Sequence, residues 1–297
     1  MPAESLGLKA AKWISIAAGI AAATGLLWVF YIYLASEAVI ERRYTLPSSL
    51  IQASEGADAI AHGKRFMNIA GCFGCHGNDL TGKTLHIVPD FTIESGSLRA
   101  LGDSYTDGDF ERAIRRGLTP DARAVWVMPS GSYAYMHESD VEDVIAYIRS
   151  LPPAGAMPQK PDFSFAARRA ILDGTLAPSS PNADEILTPP DEGPQFDGGR
   201  YLAMTACSIC HGGDLSGSAD GDAPNLDVAA SYTREQFFDL MRRGWSRDGR
   251  PLKVMNALAK SRYHTLFDYE IDALYKYLVA RKTLPPVPKP LVTGPGH

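Results

Sequence analysis

Cysteine is scarce in this chain, and so is any imbalance of charge. There are four cysteines in 297 residues. All four fall in two Cys-x-x-Cys-His motifs, Cys72–His76 and Cys207–His211, and none is left over. A zinc site asks for four closely placed nitrogen and sulfur ligands, which neither motif supplies. A thioredoxin-like motif has no need of a His at the same place twice. The net charge is −5, so nothing points to nucleic acid as a partner.

What remains is the attachment signature of a c-type haem, present twice. Two thiols three residues apart lie on one side of a helical turn. From there Cys72 and Cys75, and likewise Cys207 and Cys210, reach the two vinyl groups of one haem. The next residue, His76 or His211, is carried under the iron as an axial ligand. The expected cofactors are therefore two covalently bound haems c.

The motifs sit inside a longer repeat. Gly63 and Phe66 precede Cys72 as Gly198 and Tyr201 precede Cys207. His76, Gly77, Asp79, Leu80 and Gly82 match His211, Gly212, Asp214, Leu215 and Gly217. Arg115, Arg116, Gly117, Asp121, Arg123, Val127 and Met128 answer Arg242, Arg243, Gly244, Asp248, Arg250, Val254 and Met255. Each copy ends in an apolar-periodic helix, over 140–150 and 267–280. A unit of this length is the size of a small domain, not of a solenoid repeat. The aromatics Phe66 and Tyr201 are expected to pack on the terminal helices, near Tyr147 and Tyr277.

The axial ligands follow from the repeat. The second ring nitrogen of His76 and His211 should donate a hydrogen bond that fixes the ring. The carbonyls of Pro89 and Pro224, each 13 residues past its His, are the expected acceptors. A thioether as sixth ligand closes the iron and raises its potential. Met128 and Met255 hold equivalent positions, each after a valine. Met136 aligns with Tyr263, which cannot serve in the same way; Met67, Met204 and Met241 read as helix packing, and Met157 lies in the linker. His137 and His264 fall near each other in the alignment and read as surface or capping residues. Arg123 and Arg250 are candidates for haem propionates or for solvated loop positions.

Trp13–Leu34 is a run of 22 residues without a charge. As a helix it spans roughly 33 Å, enough for a bilayer. It exceeds the ~7–15-residue core of a signal peptide, so an uncleaved anchor is expected. The domain plan is a cytoplasmic tail and transmembrane anchor over 1–44, a haem domain over 55–152, a linker over 153–194, a second haem domain over 195–284, and a tail over 285–297. Nine prolines between Pro152 and Pro194 make the linker semi-rigid, with one short amphipathic helix expected over 163–173. The 21 prolines and 27 glycines suit a loop-rich all-α fold.

With these residues the chain resembles the class I cytochrome c family. It is similar to membrane-anchored di-haem cytochromes c and to cytochrome subunits of periplasmic dehydrogenases. The segment Glu41–Pro47 after the anchor also resembles their junction. The resemblance implies an all-α fold with a low-spin His/Met haem in each of two tandem domains. It departs at Met255, which is followed by Asn256 where Met128 is followed by Pro129, and at Pro89-Asp90-Phe91, where the second copy reads Pro224-Asn225-Leu226. There are two haem motifs where dehydrogenase subunits often have three.

The function expected is single-electron transfer in a periplasmic respiratory chain. A dehydrogenase or a quinol-oxidising complex would be the donor, and a terminal oxidase or another cytochrome the acceptor. Covalent haem attachment needs reduced cysteines outside the bacterial cytoplasm, which places the haem domains in the periplasm beside the inner membrane. Two haems on the semi-rigid linker would form a short wire. The alternative is a di-haem peroxidase-like oxidoreductase with one open haem site, for which Asn256 singles out the second copy.

Overall fold

The computed structural model of this chain describes residues 3–88, 91–179, 193–218 and 221–281. In chain order its elements are α1 (Ala3–Ile40), α2 (Ala57–Ala70), α3 (Cys72–His76), β1 (Thr84–Val88), β2 (Phe91–Glu94), α4 (Leu98–Leu101), α5 (Asp107–Glu111), α6 (Ser130–Tyr133), α7 (Glu138–Ser150), α8 (Phe165–Leu172), α9 (Asp197–Leu202), α10 (Ser208–His211), α11 (Arg234–Arg243), α12 (Lys253–Ser261) and α13 (Asp268–Ala280). A π turn over Arg112–Arg116 continues α5, and another over Ala203–Cys207 joins α9 to α10. The fold is mostly helical, not all-α: β1 and β2 form a hairpin. In β2, Phe91 and Ile93 are buried while Thr92 and Glu94 are exposed, the two-residue period of a strand.

The described chain divides into two bodies. The first gathers residues 1–42, 86–92 and 162–177. Its helix α1 is long and apolar enough to cross a membrane, and the stretch that qualifies has no buried share. Burial on α1 begins only at Ile32, Ser36 and Ile40, one turn apart along a single face. Within this body α8 buries Ala167 and Ile171, its Phe165 ring meets Trp28 edge-on at 5.8 Å, and Arg168 pairs with Glu37 at 2.9 Å.

The second body holds the rest of the described residues and consists of two helical halves built alike. Both begin their middle helix with a capping box, at Thr106 with Asp109 and at Thr233 with Gln236. Both end it at a left-handed glycine, Gly117 or Gly244. Each then makes the same turn, with bridges Leu118–Ala124 and Trp245–Pro251. In each turn one backbone is left-handed, at Ala122 and at Gly249. The hydrogen bonds from Val125 N–H to Gly117 and from Leu252 N–H to Gly244 fix the register that follows, and it sets Met128 opposite Met255.

In each half the first and last helices touch backbone to backbone. A Cβ on Gly63 would lie 1.9 Å from the carbonyl oxygen of Asp143 on α7. The same contact in the second half is made by Gly199, whose Cβ would lie 2.1 Å from the oxygen of Ala273 on α13. The sequence alignment chose Gly198, whose nearest neighbour is 4.0 Å away. The shift has a physical cause. The first half breaks its helix at left-handed Gly71 before Cys72, whereas the second runs through the π turn with one residue fewer. Leu202, not Tyr201, therefore stands opposite Phe66, and both are buried.

This register generates a stability prediction. Gly63→Ala and Gly199→Ala should each destabilise the protein by about 1–3 kcal/mol through overpacking. Gly198→Ala should be neutral or stabilise by up to about 1 kcal/mol through helix propensity. Thermal denaturation of the three variants checks this; equal effects at Gly198 and Gly199 would refute the shifted register.

Candidate functional site

Each Cys-x-x-Cys-His turn follows directly from the helix that the glycine crossing positions. Cys72 and Cys207 are half-buried, while Cys75 and Cys210 are exposed. Burial pushes the thiols of Cys72 and Cys207 up to about 12. After the turn the chain reverses at Gly77 and Gly212, with φ +83 and +81, and then at Leu80 and Leu215, with φ 60 and 59. Both leucines are fully buried. A leucine held left-handed in both halves means that burial of its side chain offsets the backbone cost.

The histidines are oriented as a ligand requires. Nδ1 of His211 lies 2.7 Å from the carbonyl oxygen of Pro224. A carbonyl only accepts, so Nδ1 carries the proton and Nε2 keeps its lone pair. Nδ1 of His76 lies 3.1 Å from the carbonyl oxygen of Gly96. Burial lowers the pKa of both rings, which favours the neutral imidazole.

For His76 the acceptor expected from sequence was Pro89, which lies outside the described residues. The acceptor found is 20 residues past its His, against 13 in the second half. The β1–β2 hairpin accounts for the difference. It is inserted between Lys83 and Ser95, which close its base with a 2.9 Å backbone bond. Gly96 and Pro224 then fall at the same place, beside Gly82 and Gly217 respectively. Equal spacing in sequence was a coincidence of the insertion.

The first site opens into a cavity of about 990 Å³, at the upper end of the range for ligand pockets. Cys72, Cys75, His76 and Met128 all line it, among apolar walls such as Leu101, Phe110 and Ile148. Thioether-forming thiols, an imidazole and a thioether in one apolar cavity are the donor set a covalent haem c asks for, so these residues fit the group. In the second half Met255 is half-buried and packs, like Cys207, against the same hydrophobic core. It lies in the first turn of α12, whereas Met128 precedes α6. Asn256 bonds the Arg243 carbonyl at 2.6 Å and fixes that segment against Gly244.

The two sites face each other in one body. Residues of the second half, including Ile209, Leu258 and Arg262, line the first site's cavity. Two like clamps hold the halves together. Arg65 of α2 makes two 2.9 Å bonds to Glu270 and lies 4.4 Å over the Phe267 ring. Tyr201, at the same place on α9, donates to Asp140 and stacks on His137 at 4.0 Å. His137 and Phe267 each precede a terminal helix, and Asp140 and Glu270 each sit at its third position. Phe66 also stacks on Tyr201, at 5.9 Å.

Sequence reasoning missed these contacts and mispaired their neighbours. Counted from the terminal helices, Tyr133 answers Tyr263 and Met136 answers Leu266. Both tyrosines are buried beside their cysteine pairs, and burial raises their pKa. The Tyr133 hydroxyl donates to the Ala70 carbonyl at 2.9 Å. His137 and His264 are not equivalent: His264 belongs to a 3₁₀ turn after α12. Arg123 bonds Asp121 at 2.7 Å within its own turn, and Arg250 pairs with Asp248 at 3.5 Å. A tyrosine at a fixed distance before each terminal helix was the available signal for Tyr133 and Tyr263; charge alone gave none for Arg65.

Residues 60–152 match the cytochrome c family. The chain is 25% identical, over 169 residues, to a diheme cytochrome c-type protein of Cereibacter sphaeroides; the match covers 51% of this chain and 56% of that protein. It is 28% identical, over 127 residues, to the fructose dehydrogenase cytochrome subunit of Gluconobacter japonicus, covering 41% of this chain and 25% of the relative. The chain thus spans about half the length of the first relative and a quarter of the second.

The Arg65–Glu270 pair is mostly shielded, with side chains 20% and 13% exposed. A double-mutant cycle of Arg65→Ala and Glu270→Ala should give a coupling of about 1–2 kcal/mol, allowing for partial screening. Denaturant unfolding of the full chain measures it. A coupling near zero would mean that the clamp does not hold the halves.

Proposed function

We propose that this chain, in which residues 60–152 form a cytochrome c domain, is a membrane-tethered di-haem electron-transfer protein. Residues 195–284 are its second cytochrome c domain. The observation that carries the reading is the repeated histidine geometry: in both halves the turn after Cys-x-x-Cys presents a His whose Nδ1 proton goes to a backbone carbonyl, leaving Nε2 for iron. When bound, each haem supplies a one-electron iron couple.

The chain's residues do the rest. Cys72 and Cys75, with Cys207 and Cys210, tether the two groups. His76 and His211 would bind the iron through Nε2, and Met128 and Met255 through their thioether sulfurs. A thioether at that position favours ferrous iron and closes it to small molecules. The apolar walls exclude water, and Ile209 and Leu258 cover the first crevice from the second half. Electrons therefore pass directly between docked halves, so the short wire runs through their contact and not along the semi-rigid linker.

The dehydrogenase subunit among the relatives supports a redox partner of that kind. The donor is a periplasmic dehydrogenase or a quinol-oxidising complex, and the acceptor a terminal oxidase or another cytochrome. Helix α1 tethers the protein in a bacterial inner membrane, with the haem domains in the periplasm. A second reading, a peroxidase-like enzyme with one open haem, rests on Met255 lying in α12 and being followed by Asn256.

Carbon monoxide separates the two readings. The reduced wild type should bind none, and its oxidised form should show the weak Met-to-iron charge-transfer band. Met128→Ala and Met255→Ala should each open half of the haem to CO. Half-saturation in the wild type would favour the enzyme reading and place the open site at Met255. Replacing residues 1–44 by a cleavable secretory signal peptide should move the protein from the membrane to the soluble periplasmic fraction with its haem content unchanged; retention in the membrane would refute α1 as the tether.

A further inference from the structure

Arg262 makes a contact between the halves that their repeat does not duplicate. By the register of the terminal helices its counterpart is Ser132, a short hydroxyl side chain that lies 2.7 Å from Ser208. Arg262 also crosses to the other half, but it carries a charge there. Its Nε and Nη2 donate to the Ile69 carbonyl at 3.2 and 2.7 Å. The guanidinium fills the space beside Gly71, the residue just before Cys72. A Cβ there would lie 2.5–2.8 Å from three guanidinium atoms, and φ at Gly71 is +85. Gly71 is also the residue by which the first half exceeds the second, so the seat for Arg262 exists in one half only.

The same guanidinium belongs to the second site by its place in the chain. It follows α12 and lies 5.5 Å from the ring of Tyr263, which is buried beside Cys207 and Cys210. It also lines the first site's cavity. Its positive charge is close enough to act on Cys72 and on Cys207 alike.

We propose that Arg262 is a shared electrostatic positioning residue of the two haem sites, a fixed cation seated at Ile69–Gly71 that raises the reduction potential of both. The inference rests on the di-haem reading. An arginine remains protonated at all working pH values. A half-buried charge between two apolar sites is screened far less than one in water. Each haem takes up one electron from the redox-protein donor, its iron passing from ferric to ferrous, and the site loses one unit of positive charge. A nearby fixed cation disfavours the ferric form at both sites and so raises both potentials.

The test is a spectroelectrochemical titration of the full-length protein in mild detergent, preceded by intact mass to count covalent haems. Two haems in the wild type support the di-haem reading; one haem overturns that reading and this inference with it, before any potential is measured. In Arg262→Gln both midpoints should fall, by about tenfold in the reduction equilibrium constant, or about 59 mV for a one-electron couple. Arg262→Lys, which keeps the charge, should recover most of the shift. Lys276→Gln, which removes an exposed cation of the second half, should move neither midpoint appreciably. A shift of only one midpoint, or of none, overturns the inference while leaving two haems in place. Should the glutamine variant carry fewer haems, Arg262→Met keeps the side-chain volume and reports the same loss of charge.

Discussion

The close crossing of the first and last helices is the contact on which the rest of each half depends. At Gly63 and Gly199 the helix leaves no room for a Cβ against the backbone of the terminal helix. That approach fixes where the first helix ends, and the Cys-x-x-Cys-His turn follows within ten residues. It also fixes which residues emerge two positions later, where Arg65 and Tyr201 reach across to the other half. One steric requirement thus orients a haem-attachment turn and an interface clamp together. Side-chain packing alone would leave the helix free to slide by a residue and misplace both.

The halves are alike in backbone and unlike in chemistry. Where one clamp is an ion pair over a phenyl ring, the other is a tyrosine hydroxyl over an imidazole, with the same geometry and different sensitivity to salt and pH. The first half carries an extra residue before its cysteines and a hairpin after its histidine; the second absorbs the first difference in a π turn. Both departures lie beside the attachment turns. The insertion at Gly71 matters most, because the space it leaves is filled by Arg262 from the other half.

Docking changes the electrostatics of the pair. Two separate domains on a linker would titrate independently and exchange electrons only on encounter. In one body each site is part of the other's surroundings, since residues of the second half wall the first cavity. Covering the first crevice with Ile209 and Leu258 lowers the local dielectric, and a charge placed there acts over a longer range than on an open surface.

The chemistry of the attachment turns is legible in the chain alone. Cysteine spacing and an adjacent His are local properties of one helical turn, and their repetition needs no tertiary information. The long apolar run of α1 and the pairing of Met128 with Met255 were legible for the same reason: composition and a conserved local spacing within the chain suffice. The tertiary structure decided everything that depends on accumulated register. An inserted hairpin moved the His76 acceptor from Pro89 to Gly96, and a π turn moved the crossing glycine from Gly198 to Gly199. A spacing rule counts residues, whereas a hydrogen bond or a helix crossing depends on where the backbone has arrived. The meeting of the halves was out of reach from sequence for a further reason. Arg65, Tyr201 and Arg262 look like ordinary helix and loop residues until the fold brings their distant partners within bonding distance.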